Sequence, residues 1–380
     1  MNGRRRAAAG AAGLATIAAL VLTGPAHGLA DGLAGGHTVY VTNSAREGGD
    51  ANVARFASNA GGPLTLVDTT EAGRGARGMA FTPDLRFAYL AASDIDQVQM
   101  FRIGPDGALT PFGAVETPSP FMIAIAPNGR TIYVGNAGLR TISVFTVRSD
   151  GTLTPRGTAD TGAEATKGIA VTPDGRFLYV SHGLPTDAEP SALTGFTLRA
   201  DGLLGRQVAK AKIGISGAET VITPDGRFVY VAHQVSNDVH GFRIGRDGDL
   251  TPVPGSPVDG GDAAEGAAIS PDGRRLYVTA VGVEDGDVGF PGQVLGFTIG
   301  DDGRLTETVD RVDMASPIGI GFTPDGRRMY VSDFSDSIVN TFAVAPDGNL
   351  RLIQTLKSGG PQPGFQSVNV LPTRSERTPR

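Results

Sequence analysis

Short runs of apolar residues recur along the chain and end in turn residues. Residues 168–172 (GIAVT) form one such run, and residues 173–175 (PDG) follow it. Proline fixes φ at the first corner of a turn, aspartate bonds back to the backbone, and glycine accepts a positive φ. Residues 177–181 (FLYVS) and 193–198 (LTGFTL) are two further runs, and residues 200–202 (ADG) form a second turn before a fourth run. This segment predicts four short antiparallel strands.

The four-strand unit recurs along the whole chain, with one tyrosine in each second strand. The seven tyrosines are Tyr40, Tyr89, Tyr133, Tyr179, Tyr230, Tyr277 and Tyr330. They stand 44 to 53 residues apart, and six of them follow a proline turn such as the one in TPDGRFLY. The third strand recurs independently and ends in phenylalanine seven times. Repeats of this length built from short strands are typical of a β-propeller.

The two ends of the chain complete one repeat between them. Residues 37–42 (HTVYVT) match a second strand with no first strand before it, and residues 365–372 (FQSVNVLP) match a first strand with no second strand after it. Pairing them closes the ring and leaves no open sheet edge. The sequence therefore predicts an all-β fold over residues 31–372. This is a seven-bladed β-propeller with four antiparallel strands per blade and a last blade closed by the N- and C-terminal strands, followed by a polar tail at 373–380.

The first strand of each repeat alternates small and large side chains. Ala80 precedes Phe81, and Ala268 precedes Ile269 at the equivalent place in another repeat. Wedge-shaped sheets crowd together near a propeller axis, so a small face of one blade receives a large face of the next. This alternation predicts that the first strand of each blade lies innermost, beside the channel.

Residues 1–30 are typical of a secretory signal. Arg4, Arg5 and Arg6 form a basic start, residues 7–22 are apolar and rich in alanine, and small residues suited to a signal peptidase follow. A retained membrane anchor is the alternative, but the apolar core is short for a membrane-spanning helix. The adjacent arginines also allow twin-arginine export. We expect cleavage, a secreted, extracellular product, and no membrane association after cleavage.

Composition excludes several classes of function. The chain has 33 Lys and Arg against 39 Asp and Glu, and loss of the three arginines in the signal leaves 30 against 39, a net charge of −9. An acidic protein is not expected to bind nucleic acid. The absence of cysteine excludes disulfides, thiolate metal sites and a cysteine nucleophile. Motifs of serine hydrolases, zinc proteases and P-loop proteins are missing, and the acidic loop at 284–287 lacks EF-hand spacing. We expect no cofactor, no metal and a monomer.

The repeat is interrupted where the inner strands begin. Antiparallel pairing puts the start of each inner strand beside the end of the second strand, on one face of the ring around the channel mouth. At these starts Arg77, Lys167, Glu219 and Glu265 replace the glycine or apolar residues of other repeats. A wet rim that tolerates polar groups is the alternative. We favour a small-molecule site, because a ring of convergent polar groups is its usual form and local rules tend to fail at functional sites.

Roles follow from the chemistry of each side chain. The candidate catalytic residues are Glu219, Glu265, His182 and His233. A glutamate would act as general base toward water, and a histidine at the end of a second strand would share the proton transfer. The candidate substrate-binding residues are Arg77, Lys167, Gln234 and Gln366. The two cations suit a carboxylate or phosphate, with the more directional contact from arginine. His37 and His240 are single strand histidines that we expect to be structural.

The recurring hairpin PDGR-x-φ-YV, in which φ stands for an apolar residue, is followed by a φxxF strand and a DGxLT turn. Over residues 37–372 this pattern resembles the lactonase-type seven-bladed propellers with YVTN-type repeats. That family includes propeller 6-phosphogluconolactonases and carboxymuconate-cyclising enzymes. The resemblance implies histidines and arginines at the inner-strand starts and a glutamate just after a YV strand. This chain instead has Arg77, Lys167 and two glutamates at those starts, and Gln234 where an acid is expected.

Two classes of function remain open from the sequence. The first is a secreted hydrolase or cycloisomerase that acts on a lactone or a small carboxylated ring compound, with 6-phosphogluconolactonase as the model activity. The second is a non-catalytic propeller that binds a ligand, a glycan or a protein partner outside the cell. As partner we expect a small-molecule or carbohydrate-like ligand at the channel mouth.

Overall fold

The computed structural model describes most of the chain between residues 36 and 372. The described residues are 36–45, 50–59, 61–184, 186, 188–285, 288–307, 310–360 and 368–372. The predicted signal at 1–30, the predicted tail at 373–380 and the candidate Gln366 lie outside them. Across the described ranges, no helix has the length and apolar character needed to cross a membrane.

The described residues form a ring of seven blades, numbered here from the N-terminus. Blade 1 contains β1 (His37–Asn43), β2 (Asn52–Ser58), β3 (Thr65–Glu71) and β32 (Val368–Pro372). Blade 2 contains β4 (Ala76–Phe81), β5 (Phe87–Ala92), β6 (Gln97–Ile103) and β7 (Leu109–Glu116), with a 3₁₀ turn at Ser93–Ile95. Blade 3 contains β8 (Pro120–Ile125), β9 (Thr131–Asn136), β10 (Thr141–Val147) and β11 (Leu153–Asp160). Blade 4 contains β12 (Thr166–Val171), β13 (Phe177–His182), β14 (Ala192–Leu198) and β15 (Leu204–Lys212).

The remaining three blades follow the same order. Blade 5 contains β16 (Gly217–Ile222), β17 (Phe228–His233), β18 (Asp238–Ile244), β19 (Leu250–Pro252) and β20 (Val258–Asp259). Blade 6 contains β21 (Ala264–Ile269), β22 (Arg275–Ala280), β25 (Gly292–Ile299), β26 (Leu305–Glu307) and β27 (Val312–Met314), and carries an extra hairpin of β23 (Val283–Asp285) and β24 (Val288–Phe290). Blade 7 contains β28 (Pro317–Phe322), β29 (Arg328–Asp333), β30 (Ile338–Val344) and β31 (Leu350–Lys357). The predicted seven-bladed fold is confirmed, but the fourth strand is interrupted in blades 5 and 6.

The predicted closure of the ring is also confirmed. Blade 1 has the strand order β3-β2-β1-β32, so its innermost strand comes from the far end of the chain. The antiparallel register pairs His37 with Pro372 and Val41 with Val368. The two ends of the chain therefore share one sheet and close the ring noncovalently.

The hairpins between first and second strands are stabilised by hydrogen bonds to the turn aspartate and by a glycine with positive φ. In blade 4, the Asp174 carboxylate accepts hydrogen bonds from the Thr172 hydroxyl at 2.6 Å and from the Arg176 backbone N–H at 3.0 Å. Gly175 has φ +71°, which glycine adopts at little cost. The same aspartate contacts recur after the first strands of blades 2, 5, 6 and 7. This turn sets the register of the inner strand against the second strand.

Each tyrosine is buried and holds its blade to the next one. In blades 1 to 6 the phenol hydroxyl donates to a glycine carbonyl in the turn between the third and fourth strands of the following blade, at 2.5 to 2.8 Å. The pairs are Tyr40–Gly107, Tyr89–Gly151, Tyr133–Gly202, Tyr179–Gly248, Tyr230–Gly303 and Tyr277–Gly348. The seventh, Tyr330, instead meets Nε2 of His37 across the closure. The tyrosines are therefore clamps between blades, which agrees with the structural role expected for His37.

Removal of one clamp hydroxyl should lower stability measurably. We expect Tyr179→Phe to lower the free energy of unfolding by about 1–3 kcal/mol, because the buried Gly248 carbonyl loses its donor while the ring packing stays. Urea unfolding followed by circular dichroism measures the change. Thr69→Val, which removes an exposed hydroxyl on β3, is the matched control and should change stability by less than about 0.5 kcal/mol. Equal effects from the two variants would contradict the clamp.

The inner strands pack as the alternation of small and large residues predicts. Ala80 belongs to a buried cluster shared with blade 3, which includes Ile123. Its neighbour Phe81 belongs to a cluster shared with blade 1, which includes Tyr40 and Leu371. Successive side chains of one inner strand thus fill the spaces on opposite sides of its blade. The hydrophobic core is therefore a set of layers between adjacent blades.

Candidate functional site at the channel mouth

The inner strands leave regular pairing where the charged residues stand. In six blades the register against the second strand shifts near the start of the inner strand. Arg77 and Lys167 lie inside these shifts in β4 and β12, and Glu219 and Glu265 lie inside them in β16 and β21. A β-bulge frees a residue from the ladder and re-aims its side chain, often beside an active site. These four are the charged residues among the positions that the irregularity frees from the ladder.

Glycine follows three of the charged residues, and at two of these glycines neighbouring inner strands meet backbone to backbone. A Cβ on Gly168 would lie 2.4 Å from the Ala218 carbonyl oxygen, and one on Gly266 would lie 2.3 Å from the Ile318 carbonyl oxygen. These distances are shorter than real Cβ contacts, so the glycines are required for close approach of the blades. In blades 4 and 6 the polar side chain at this place therefore belongs to Lys167 and Glu265, the residues just before the two glycines.

All four charged side chains are buried. The exposed fraction is 4% for Arg77, 5% for Lys167, 4% for Glu219 and 0% for Glu265. Lys167, Glu219 and Glu265 lie on the consecutive inner strands β12, β16 and β21, whereas Arg77 lies on β4, with β8 between. Buried ions are unfavourable for folding unless opposite charges compensate them. The set contains two cations and two anions, so its formal charges cancel. Their concentration at one end of the inner strands is a structural feature that core packing alone does not require.

Lys167 joins blades 4 and 5 at the mouth. Its Nζ donates to the Ser216 hydroxyl at 3.0 Å and to Oε1 of Gln234 at 3.3 Å. The structure thus brings together two sequence candidates and adds Ser216, which the sequence analysis missed. Gln234 is buried, and among the described residues its Nε2 has no hydrogen-bond partner. The Lys167 ammonium group and the Gln234 amide therefore meet where blades 4 and 5 adjoin.

An apolar cluster lies beside the charged residues and spans the channel. Phe121 of blade 3 packs in one cluster with Ala263 and Val281 beside blade 6 and with Ile318 of blade 7. Blades 3 and 6 are not neighbours, so these side chains meet across the channel. The Arg77 guanidinium stacks 5.2 Å from the Phe121 ring centroid, and its Nε donates to Ser93 at 3.1 Å. An apolar surface with a few placed polar groups is the usual lining of a small-molecule site.

His182 is held by groups of its own blade. Nδ1 lies 3.2 Å from the Glu164 carbonyl oxygen, and Nε2 lies 2.9 Å from the Thr194 hydroxyl on β14. Burial lowers the pKa of His182 from 6.5 to about 4, with further lowering by the nearby Lys210 and Arg140. The ring is therefore neutral at physiological pH. Its part in proton transfer remains a prediction.

His233 forms a cluster with two residues of β18. Its Nδ1 lies 2.9 Å from Oδ1 of Asp238, and Nε2 of His240 lies 3.5 Å from Oδ2 of the same carboxylate. Burial lowers the pKa of His233. Burial alone would raise the pKa of Asp238, but the close contact with His233 and the nearby His240 ring hold it well below its usual range. Asp238 was not predicted as a site residue, and His240 was expected to be a single structural histidine. The sequence pattern that could have predicted this cluster is the alternation DVH, which puts residues 238 and 240 on one face of a strand.

Solved structures with the same fold support the architecture. A candidate 6-phosphogluconolactonase from Bacteroides fragilis superposes with a TM-score of 0.74 at 19% identity, covering 89% of this chain and 98% of that one. A second candidate 6-phosphogluconolactonase, from Bacteroides uniformis, gives 0.74 at 17% identity, covering 88% and 99%. The periplasmic gluconolactonase of Pseudomonas aeruginosa gives 0.68 at 19% identity, covering 88% and 99%. At these identities the likeness concerns the fold.

The family is shown by the sequence itself. A sequence model described as lactonase, 7-bladed β-propeller matches this chain over two overlapping ranges, residues 73–186 and 123–263. Together the two ranges cover half of the chain. They contain three of the four buried charged residues, and Glu265 lies just beyond them. The protein belongs to the lactonase family of seven-bladed β-propellers.

Proposed function

We propose that the protein is a secreted hydrolase that opens the ring of a small lactone at the channel mouth. The observation that carries the proposal is the burial of Arg77, Lys167, Glu219 and Glu265 at irregular inner-strand starts in a lactonase-family propeller. Burying four charges is unfavourable for folding, and such groups concentrate at functional sites. The signal at residues 1–30 supports action outside the cytoplasm.

The chemistry of ring opening matches the groups at the mouth. Water adds to the lactone carbonyl carbon as a carboxylate takes up its proton, and the carbonyl oxygen becomes an oxyanion. The ring C–O bond then breaks, and the released alkoxide oxygen takes up a proton. Glu265, fully buried, is the general base, with Glu219 on the adjacent strand as the second carboxylate. Lys167 and Nε2 of Gln234 are donors for the oxyanion, since they lie together and are largely desolvated.

The same residues indicate the substrate class. Arginine binds a carboxylate or phosphate more directionally than lysine does, and the planar guanidinium of Arg77 stacks on Phe121. A sugar-acid lactone has a polar ring and provides an apolar ring face for such an aromatic surface. The Pseudomonas aeruginosa neighbour is named a periplasmic gluconolactonase, which supports a substrate of this class outside the cytoplasm.

A lactone panel tests the proposal directly. Purified protein without residues 1–30 should release acid from at least one sugar-acid lactone, measured with a pH indicator. We expect Glu265→Gln and Lys167→Met each to lower kcat/KM by about 100-fold or more, because general bases and oxyanion donors contribute on that scale. Glu71→Gln, an exposed carboxylate on β3, is the matched control and should keep full activity.

Two outcomes would contradict the hydrolase. One is a correctly folded wild-type protein that hydrolyses no lactone of the panel. The other is retention of activity in both variants when their melting temperatures match the wild type. A lactone that raises the melting temperature without being hydrolysed would instead favour a binding protein, because ligands that bind only the folded state stabilise it.

A further inference from the structure

We propose that His233, Asp238 and His240 bind a divalent transition-metal ion, for which Zn²⁺ is the natural probe. The sequence analysis predicts no metal, because the three residues are adjacent only through strand pairing. Two imidazoles and one carboxylate are a donor set that suits first-row transition metals such as zinc, iron, nickel and copper. This site is separate from the proposed hydrolase chemistry and does not depend on it.

The β17–β18 hairpin puts the three side chains on one face of blade 5. His233 ends β17, and Asp238 begins β18 on the antiparallel neighbour. His240 lies two residues further along β18 and pairs with Val231. Side chains two residues apart share a face of a strand, so His240 points to the same side as Asp238. Sheet geometry therefore converges the donors without any special loop.

The donor atoms are close enough together to share one ion. The three donor atoms all lie within 4.8 Å of one another. Nδ1 of His233 is 2.9 Å from Oδ1 of Asp238, and Nε2 of His240 is 3.5 Å from Oδ2. Around a tetrahedral zinc ion with bonds of about 2.0–2.1 Å, ligand atoms are separated by about 3.3 Å. The 3.5 Å separation is longer than an ordinary hydrogen bond and close to this ligand spacing.

The orientation of the rings supports a shared ion. The two imidazoles meet edge to face, with centroids 4.8 Å apart and an interplanar angle of 74°. His233 is fully buried, whereas the His240 side chain is 17% exposed. Solvent therefore reaches the cluster from the β18 side, where Asp238 and His240 are both partly exposed. That side offers a path for the ion and a fourth coordination position for water, as in zinc sites with three protein ligands.

Neighbouring groups hold the carboxylate in place. The Ser236 hydroxyl donates to Oδ1 of Asp238 at 2.9 Å and accepts from the Ile215 backbone N–H at 2.9 Å. Gly214 lies against the cluster, because a Cβ there would approach the Ser236 hydroxyl to 2.2 Å and Oδ1 of Asp238 to 2.5 Å. Hydrogen bonds of this kind orient metal ligands and are a regular part of metal sites.

Metal titration tests the site. After treatment with EDTA and removal of the chelator, the wild-type protein is titrated with Zn²⁺ by calorimetry and with Co²⁺ by visible absorption. We expect one ion per chain and a cobalt spectrum of a low-coordinate site with nitrogen and oxygen ligands. His240→Ala and Asp238→Asn should each weaken metal binding by about 100-fold or more. Changing a residue that only orients a ligand weakens metal binding by up to about 100-fold, and loss of a ligand itself should cost at least as much.

The control is another histidine at the end of a second strand. His182 ends β13 in blade 4 as His233 ends β17 in blade 5, but it contacts a hydroxyl and a carbonyl rather than a carboxylate. His182→Gln should therefore leave metal affinity unchanged. His240 is partly exposed, so His240→Ala is expected to fold, and a Zn²⁺-dependent rise in melting temperature should be lost in that variant. Absence of Zn²⁺ and Co²⁺ binding by the wild type, or equal weakening in the His182 variant, overturns the proposal and leaves a hydrogen-bonded cluster.

Discussion

Acidification from pH 6.5 to pH 4 should lower the free energy of unfolding by roughly 5 kcal/mol. Buried histidines cause the loss, chiefly His182 and His37, and His233, whose pKa burial also lowers, adds to it. Burial lowers the pKa of His182 to about 4, and the nearby cations Lys210 and Arg140 add to the shift. Burial likewise lowers the pKa of His37 to about 4, with a further contribution from Arg328. Each ring is neutral in the folded protein over this range.

The direction follows from proton uptake. The unfolded chain protonates both histidines as the pH falls through 6.5, whereas the folded protein resists until about pH 4. The stabilisation is therefore fully present above pH 6.5, is lost progressively down to pH 4 and is constant below. A shift of 2.5 pKa units corresponds to about 3 kcal/mol for His182, and somewhat less for His37, whose burial is less complete. Asp333, whose pKa is raised by burial, opposes the loss in part.

Urea unfolding at several values between pH 7 and pH 4 measures the effect. His37→Gln and His182→Gln remove one titrating group each, so each should flatten the dependence on pH even if it lowers stability at pH 7. Direct titration of the two rings by NMR should give folded pKa values far below 6.5. Turn aspartates such as Asp84 and Asp174 have lowered pKa values, so their contributions disappear only below pH 3.8. An unchanged slope in the double variant would show that other groups are responsible.

The fold was predictable because every determinant of a blade is local. The turn at Pro173, Asp174 and Gly175 specifies a hairpin by its own hydrogen bonds, and the same turn recurs around the ring. Repetition then fixes the number of blades, and closure follows from avoidance of open edges. The breaks in the outer strands of blades 5 and 6 were not predictable, because outer strands face solvent on one edge and their pattern is weak.

The candidate site was only partly predictable, for a physical reason. The sequence shows that Arg77 and Lys167 replace apolar residues, since that depends on alignment of the repeats alone. It does not show that Lys167 contacts Ser216 and Gln234, because these contacts cross from one blade to the next through an irregular strand. The grouping of His233, Asp238 and His240 depends on the pairing of β17 with β18, so the chemistry became visible only with the register.

Disruption of the closing strand should abolish the fold rather than weaken it slightly. β32 is the inner strand of blade 1, and its Val368 is fully buried against Val39 and Val41. Removal of β32 leaves the inner edge of β1 unpaired and opens the layer between blades 7 and 1. Other contacts cross from blade 7 to blade 1, among them Tyr330 with His37 and two hydrogen bonds of 2.8 Å between Gln354 and the Leu64 backbone. None of these side-chain contacts replaces the backbone pairing of a strand.

A chain truncated after Gly360 should therefore aggregate or bind a dye that reports exposed apolar surface. A chain truncated after Pro372 is the control and should melt at the wild-type temperature. Val368→Asp should cost more than about 4 kcal/mol, because it places an uncompensated charge in the closure. Leu352→Asp makes a comparable change at a position that is 53% exposed on β31, and it should cost less than about 1 kcal/mol. A chain cut after Gly360 that unfolds cooperatively near the wild-type temperature would show that the six complete blades are self-sufficient. The closing strand would then be dispensable for the fold, whereas the pairing of β1 with β32 predicts that the ring of blades requires it.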